Sequence, residues 1–317
     1  MARLLVVGAT SAVGRDVVRR LLASGRTVRV LVRTDKAALE FRSAGAETVI
    51  GDVRDAEPLR QACEGVDTVL SLFGRHFAET EQQFWDVDAR GNELLADAAR
   101  AASVGHFVLL SILWSDRDLP PVILRVKRRA EEAVVASGIP YTILRPSTFV
   151  EGASSLLGSV GPTVERWGLA VVPSPDTKPV SFVSIFDLAE AIVSAALGGP
   201  RERKIFEIGG PRAVTFTEGA AIVASVLGKR ARIVRTPKLV LDTSRKIAKR
   251  RAFGRYEAVL FLEMLRDKGY ACSPDGLRQL LAREPTSVED AVRARYAKSP
   301  TTPWRDSIYA SFTLRSR

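Results

Sequence analysis

The chain has 317 residues, 46% of them hydrophobic and 26% charged, with a formal net charge of +11 at pH 7. That composition is globular and excludes a disordered chain or a fibre; the length suits one large domain or two small ones. Cys63 and Cys272 stand far apart and His76 and His106 are the only histidines, so a disulfide scaffold, a thiolate zinc site and a His-rich metal centre are excluded, and no metal is expected.

The opening run MARLLVVGAT is too short for a signal h-region and reads as a first strand, Leu4–Val7, and a turn. Helix Gly14–Ser24, strand Thr27–Val32, helix Lys36–Ala44 and strand Thr48–Ile50 follow. Then come helix Glu57–Cys63, strand Thr68–Leu72, a long helix Asp86–Ala102 and strand Phe107–Ser111. Helix Val126–Ser137 and strand Tyr141–Leu144 complete the first half. Apolar, β-branched strands alternating with amphipathic helices imply βαβ units and a parallel sheet buried on both faces. After Pro146 residues 151–180 are rich in Gly, Pro and Ser and read as loop. Val180–Val183 reads as an edge strand, Asp187–Leu197 as a helix with Asp187 at its cap, and Lys204–Ile208 as a strand that rejoins the sheet. From Thr215 onward the chain reads as largely helical.

The fold expected is α/β: a doubly wound, parallel Rossmann-type sheet with a smaller, mostly helical C-terminal cap. Residues 1–150 and 181–210 would form the nucleotide domain, and residues 151–180 and 211–317 the cap. No apolar run approaches the roughly 18 residues of a membrane span, and the cysteine usage suits a cytoplasmic, reducing setting.

Charge is unevenly spread. Residues 1–150 hold 20 basic and 19 acidic side chains; residues 151–317 hold 27 and 17, a net of +10. The densest block, Lys229 to Arg255, has eleven basic residues against Asp242 alone. It reads either as a solvated helical surface or as a contact for an anionic membrane or an acidic partner. No zinc-finger, RNP or helix-turn-helix pattern is present, so no nucleic-acid partner is expected.

Gly8-Ala9-Thr10-Ser11-Ala12-Val13-Gly14 lies between the first strand and first helix, the required context for a dinucleotide fingerprint. Gly8 serves the tight turn and Gly14 the close approach of helix and strand, while the helix N-terminus offers N–H groups to a pyrophosphate. Ser11 replaces the middle glycine; its hydroxyl is small enough to fit and to donate to phosphate. The second strand ends in Arg33, which suits a 2′-phosphate and hence NADPH; Asp35, two residues on, keeps NADH open. Asp52 has two readings, an acceptor for the adenine amino group with Val53 against the ring, or a cap of the next turn.

The runs VVGATSAVGRDVVRRLL, VRVLVR, GDVRD, VDARGNELLADAA, FVLLS and KRRAEEAVVASGIPYTILRP together resemble the NmrA-like, atypical branch of the short-chain dehydrogenases/reductases. The likeness is close over residues 3–150 and weaker through FVSIFDLAEAIVSAAL and FEIGGPRAVTFTE. The resemblance implies an NADP-binding fold and assigns Gly8, Thr10, Ser11, Ala12, Val13 and Gly14 to the pyrophosphate. It assigns Arg33 to the 2′-phosphate, Asp52 and Val53 to the adenine, and Leu72, Phe73 and Gly74 to the cofactor wall. Ser111 falls at the family's serine, Lys127 at its helical lysine, and Pro146, Thr148 and Phe149 border the nicotinamide.

One departure matters. Ile123 stands four residues before Lys127, where fuller members carry the proton-donating Tyr, and an aliphatic side chain exchanges no proton. Tyr141 opens a buried strand and reads as core. The catalytic candidates are therefore Lys127 and Ser111, polarising an oxygen, and His76, whose ordinary pKa suits proton transfer near neutrality. His106 reads as structural. His76, Trp114, Phe149 and Trp167 are candidates for a lipophilic substrate pocket. Three functions stay open: an NAD(P)H-dependent reductase of a small lipophilic carbonyl or conjugated acceptor, a non-catalytic NADP(H)-binding redox sensor or assembly factor, and a non-redox isomerase or cyclase.

Overall fold

The computed structural model describes residues 3–74, 78–152, 155–198 and 203–297. Strands β1 (Arg3–Val7), β2 (Thr27–Val32) and β3 (Glu47–Ile50) alternate with helices α1 (Ala12–Ala23), α2 (Asp35–Ser43) and α3 (Ala56–Cys63). After β4 (Thr68–Ser71) come α4 (Glu81–Phe84), a π-helical segment Trp85–Arg90 and α5 (Gly91–Ala101). Strand β5 (His106–Leu110), helix α6 (Val122–Ala136) and strand β6 (Tyr141–Pro146) follow.

The sheet reads β3-β2-β1-β4-β5-β6-β10, with all pairings parallel; β10 (Lys204–Ile208) is the rejoining edge strand. Successive residues of a strand face opposite sides. Leu4, Val6, Val30, Leu70 and Val108 enter one core, and Leu5, Val7, Leu31, Val69 and Leu109 the other. Double-sided burial is why these strands are continuously apolar. The chain runs outward from β1 to β3, then returns to place β4 on β1's other side. That reversal opens a crevice at the C-terminal ends of β1 and β4.

His106 is buried and its Nε2 lies 3.0 Å from Thr142 Oγ1, a structural link between β5 and β6. Tyr141 is buried in the core below the same sheet.

Most of the described residues between 151 and 180 are not loop. They follow β7 (Thr148–Phe149) and form α7 (Leu156–Trp167) and β8 (Leu169–Pro173) before β9 (Val180–Val183). Ser155 caps α7 by accepting from Gly158 N, and Leu156, Leu157, Val160 and Val164 line one buried face despite Pro162. The main sheet does not take β9 as an edge. It is the middle strand of a small sheet with β7 and β11 (Ala213–Val214). Helix α8 (Ile185–Leu197) follows β9 and helix α9 (Phe216–Val226) follows β11. Then β12 (Arg232–Thr236) pairs with β8, an unexpected strand in a region read as helical. Helices α10 (Lys238–Arg251), α11 (Phe253–Lys268), α12 (Asp275–Leu281) and α13 (Val288–Tyr296) end the described chain.

The cap has its own core, in which Leu156, Val160, Val223, Met264, Tyr270 and Val292 pack together with Leu113 and Leu124. Helix α12 instead sends Leu277 and Leu281 into the core shared by α1 and α8, so the C-terminal third serves both parts. Buried carboxylates stitch them together. Glu257 of α11 accepts from Val122 N at 2.7 Å and so caps α6. Glu151 accepts from Ser184 Oγ at 2.9 Å and Ile185 N at 3.0 Å, capping α8, and burial pushes its carboxyl pKa up. The α8 N-cap is therefore Ser184. Asp187 sits in the first turn and holds Thr286 Oγ1 and Arg283, both at 2.9 Å. Cys63 and Cys272 are free thiols, each pushed up to about 12 by burial.

Candidate dinucleotide site

Gly8 adopts φ +95° directly after β1, a left-handed conformation that favours glycine. A Cβ there would lie 2.6 Å from the Leu72 carbonyl carbon. A Cβ on Gly14 would lie 2.3 Å from the Gly8 carbonyl oxygen and 2.8 Å from Ala9 Cα. Both glycines are thus demanded by backbone-to-backbone contact at the crevice. Ser11 needs no glycine, having an extended backbone at φ −71°. Its Oγ accepts from Gly14 N at 2.9 Å and donates to Gly8 O at 3.0 Å, so the hydroxyl caps α1 and is not turned toward a phosphate. Its carbonyl takes Arg15 N at 2.9 Å. Helix geometry leaves the N–H groups of Ala12 and Val13 without intrahelical acceptors, a helix end suited to an anion. Thr10 is exposed in the same turn.

Opposite this turn, Leu72 is buried and Phe73 half-buried. A Cβ on Gly91 of α5 would stand 3.1 Å from Val53 Cγ2 and 3.2 Å from Phe73 Cε2, so Val53, Phe73 and Gly91 converge on one apolar slot. The Asp52 carboxylate accepts from Arg54 Nε and Nη2, both at 2.9 Å, and from Arg54 N at 3.0 Å. Those bonds hold its pKa below the ordinary carboxylate range, with the nearby Arg33 guanidinium adding to the effect. Of the two readings of Asp52, the turn cap is the one the structure displays. Arg33 is exposed just beyond β2, and Asp35 opens α2 behind its N-cap Thr34. Arg15 is committed elsewhere, paired with Glu40 and stacked 5.7 Å from the Phe41 centroid.

Lys127 lies beneath Gly74. Its Nζ is 3.0 Å from Asp88 Oδ1 and donates to Phe73 O at 3.1 Å and Leu110 O at 3.5 Å. Both charges are buried. Three acceptors thus surround an ammonium with three donors. A side chain at Gly74 would meet Asp88 Oδ1 at 2.5 Å and Lys127 Nζ at 2.8 Å, so glycine keeps the groove open above the pair. Asp88 sits in the π-helical segment, whose extra residue per turn alters which side chains face inward, and such segments cluster at functional sites. Asn92, fully buried, donates to Asp88 O at 2.7 Å and accepts from Ser71 Oγ at 2.5 Å. Sequence reasoning missed Asp88 and Asn92. Their i,i+4 spacing was the available signal, hidden inside what read as one regular helix.

Ser111 departs from its expected role. Its hydroxyl donates to Glu131 Oε1, which also accepts from Ser115 Oγ at 2.7 Å and Arg145 Nε at 3.0 Å. Arg145 continues to Asp116 Oδ2 at 2.6 Å. This network crosses from β5 and β6 to α6, and it takes the hydrogen that was to polarise a substrate oxygen.

Trp114 is buried with φ +63°, set edge-on to Tyr270 at 5.0 Å and under Arg117 at 4.1 Å. Tyr270 in turn donates to Leu113 O at 2.7 Å, so Trp114 is a packing joint between the loop after β5 and the cap. Trp167 ends α7 with 61% of its surface exposed. Pro146 is buried at the end of β6; Thr148 and Phe149 are half-buried, and Phe149 packs toward the core under α8. His76 lies outside the described residues. Among the described residues no cluster of His, Cys, Asp or Glu is disposed to hold a metal.

A parallel sheet whose order reverses beside a glycine turn and a helix N-terminus defines a dinucleotide-binding protein. The chain belongs to the NAD(P)H-binding family, whose model matches residues 8–166. It is 35% identical over 243 residues to (4-alkanoyl-5-oxo-2,5-dihydrofuran-3-yl)methyl phosphate reductase of Streptomyces griseus, covering 76% of this chain and 79% of that protein. It is 29% identical over 248 residues to the photosystem II assembly factor Ycf39 of Synechocystis, covering 78% and 74%. Triphenylmethane reductase of Citrobacter, solved with NADP(H), shares the fold with a TM-score of 0.77 at 21% identity, over 92% of this chain and 99% of that one. The α/β fold and the NAD(P)H-binding assignment expected from the sequence are both met.

Proposed function

We propose that the protein is an NADPH-dependent reductase of small, lipophilic carbonyl or conjugated acceptors, working without a tyrosine proton donor. The observation that carries this reading is the groove itself. Gly8 and Gly14 let turn, strand and helix meet backbone to backbone at its mouth, and Gly74 leaves room above the buried Lys127–Asp88 pair. Bound NADPH supplies a hydride; orientation then matters more than acid catalysis by the chain. Lys127 is a positioning residue here, joining the ends of β4 and β5 to α6 beneath the nicotinamide half. The family resemblance puts Ile123 in the tyrosine's place and Phe149 at the nicotinamide border, an apolar pairing that would suit a lipophilic acceptor. The proton that completes reduction comes from solvent or His76. The named reductase among the relatives supports the reading.

The test is NADPH oxidation with a panel of quinones, enones and azo compounds. Turnover is expected with at least one class, persisting in Ser111→Ala. A panel in which the protein binds NADPH yet oxidises none sinks the reductase reading. A second reading would then lead, a non-catalytic NADP(H) sensor or assembly factor. It is favoured by Ile123 at the tyrosine position and by an ammonium already neutralised by Asp88, and a relative named as an assembly factor agrees with it.

A further inference from the structure

The cap carries an outer face that its own core does not use. Helix α10 buries Leu241 and Ala248 on one side, where it packs against α11. At 100° per residue, Leu239, Val240 and Ile247 fall within one arc on the opposite side. Leu239 is 76% exposed and Ile247 54%. Lys246 sits at one edge of that arc and Lys249 beyond it on the same side, and with Arg245 and Tyr256 they line a cleft of about 280 Å³ between α10 and the start of α11. The ribbon of β8 and β12 leads into the helix. Val171 and Val234 are register partners, both exposed, with Arg232 two residues along the same face. Trp167 stands exposed just before β8 with the Arg166 guanidinium 5.2 Å above its ring. Six of the ten large exposed hydrophobics among the described residues lie on these elements, in the half of the chain that holds nearly all the net positive charge.

We propose that this face, α10 with the β8–β12 ribbon, docks on an anionic phospholipid surface. Aliphatic side chains beside lysines match the boundary between headgroups and acyl chains, where apolar atoms leave water while the ammonium groups stay among phosphates. An exposed tryptophan suits the same depth. A nucleic acid would answer the charge but gain nothing from Leu239, Val240 and Ile247. No helix among the described residues is long and apolar enough to cross a membrane, so the contact lies in the plane of the surface.

Sedimentation of the full chain with vesicles tests this, using phosphatidylcholine alone and an equal mixture with phosphatidylglycerol. Binding is expected with the mixed vesicles, weakening as salt rises, and not with the neutral ones. Lys246→Glu with Lys249→Glu, and separately Leu239→Ser with Ile247→Ser, should each lower it roughly tenfold or more. NADPH titration of both variants, expected unchanged, shows that they are folded. Equal binding to neutral vesicles, or no binding to either, overturns the proposal. So does retention in the serine variant together with full competition by duplex DNA or by inorganic phosphate, which would mark a general polyanion or anion surface.

Discussion

Asp88→Ala should destabilise the protein by about 3–5 kcal/mol, because it strands the buried Lys127 ammonium without its counter-charge. The pair stands in the groove floor with both side chains out of solvent, and Lys127 would keep only the Phe73 and Leu110 carbonyls. Lys127→Ala should cost a comparable amount for the converse reason. The double variant Asp88→Leu, Lys127→Met removes both charges and should recover most of the loss, since apolar replacement of a buried pair is often near neutral. Urea unfolding of the unsubstituted protein, Asp88→Leu, Lys127→Met and the double variant closes the cycle; a double variant as unstable as the sum of those two singles would show that the two side chains act independently. The double variant also isolates function. If Lys127 is a positioning residue, that variant should bind NADPH more weakly and turn over more slowly while remaining folded.

Gly14→Val should abolish dinucleotide binding and lower stability by about 1–3 kcal/mol. The new Cβ would meet the Gly8 carbonyl oxygen and Ala9 Cα, all backbone, so no rotamer relieves it. Either α1 moves off β1 or the Gly8–Ser11 turn changes shape, and both displace the Ala12 and Val13 N–H groups from a bound pyrophosphate. Ser11→Gly is the matched control. It loses the hydroxyl cap but opens the turn, so it should cost only a few tenths of a kcal/mol and leave binding intact. Calorimetric titration with NADPH and a thermal melt of each variant check this. Binding by Gly14→Val close to the unsubstituted protein would mean that the glycine turn is not the phosphate cradle.

The central strands of the sheet were legible because they are buried on both faces and carry almost no polar residues to confuse the pattern. Residues 27–32 and 204–208 were read with the bounds the structure shows. Helix α7 was not legible. Gly158, Gly161 and Pro162 mask its apolar face in composition, and tertiary burial of Leu156, Val160 and Val164 overrides that weak local preference. Strand β12 was hidden because RIVRT is short and carries two basic residues and only two apolar ones, beside a basic helix. In the site, the backbone-determined parts were readable: Gly8 and Gly14 follow from turn chemistry. The side-chain partnerships were not. Ser111 reaches Glu131 across 20 positions, and Lys127 reaches Asp88 only because a π-helical segment turns Asp88 inward. No local spacing encodes either encounter.

The most direct test of the account is calorimetric titration of the purified protein with NADPH, NADH, NADP and NAD, repeated with Arg33→Ala. Arg33 is exposed just beyond β2, near enough to Asp52 to lower its pKa, and the proposed function assigns it to the 2′-phosphate. The account predicts one NADPH per chain, bound more tightly than NADH. Arg33→Ala should weaken NADPH roughly tenfold or more, as loss of a charge-assisted contact does, while leaving NADH nearly unchanged. Binding of none of the four nucleotides, or equal weakening of NADPH and NADH by the substitution, would contradict it.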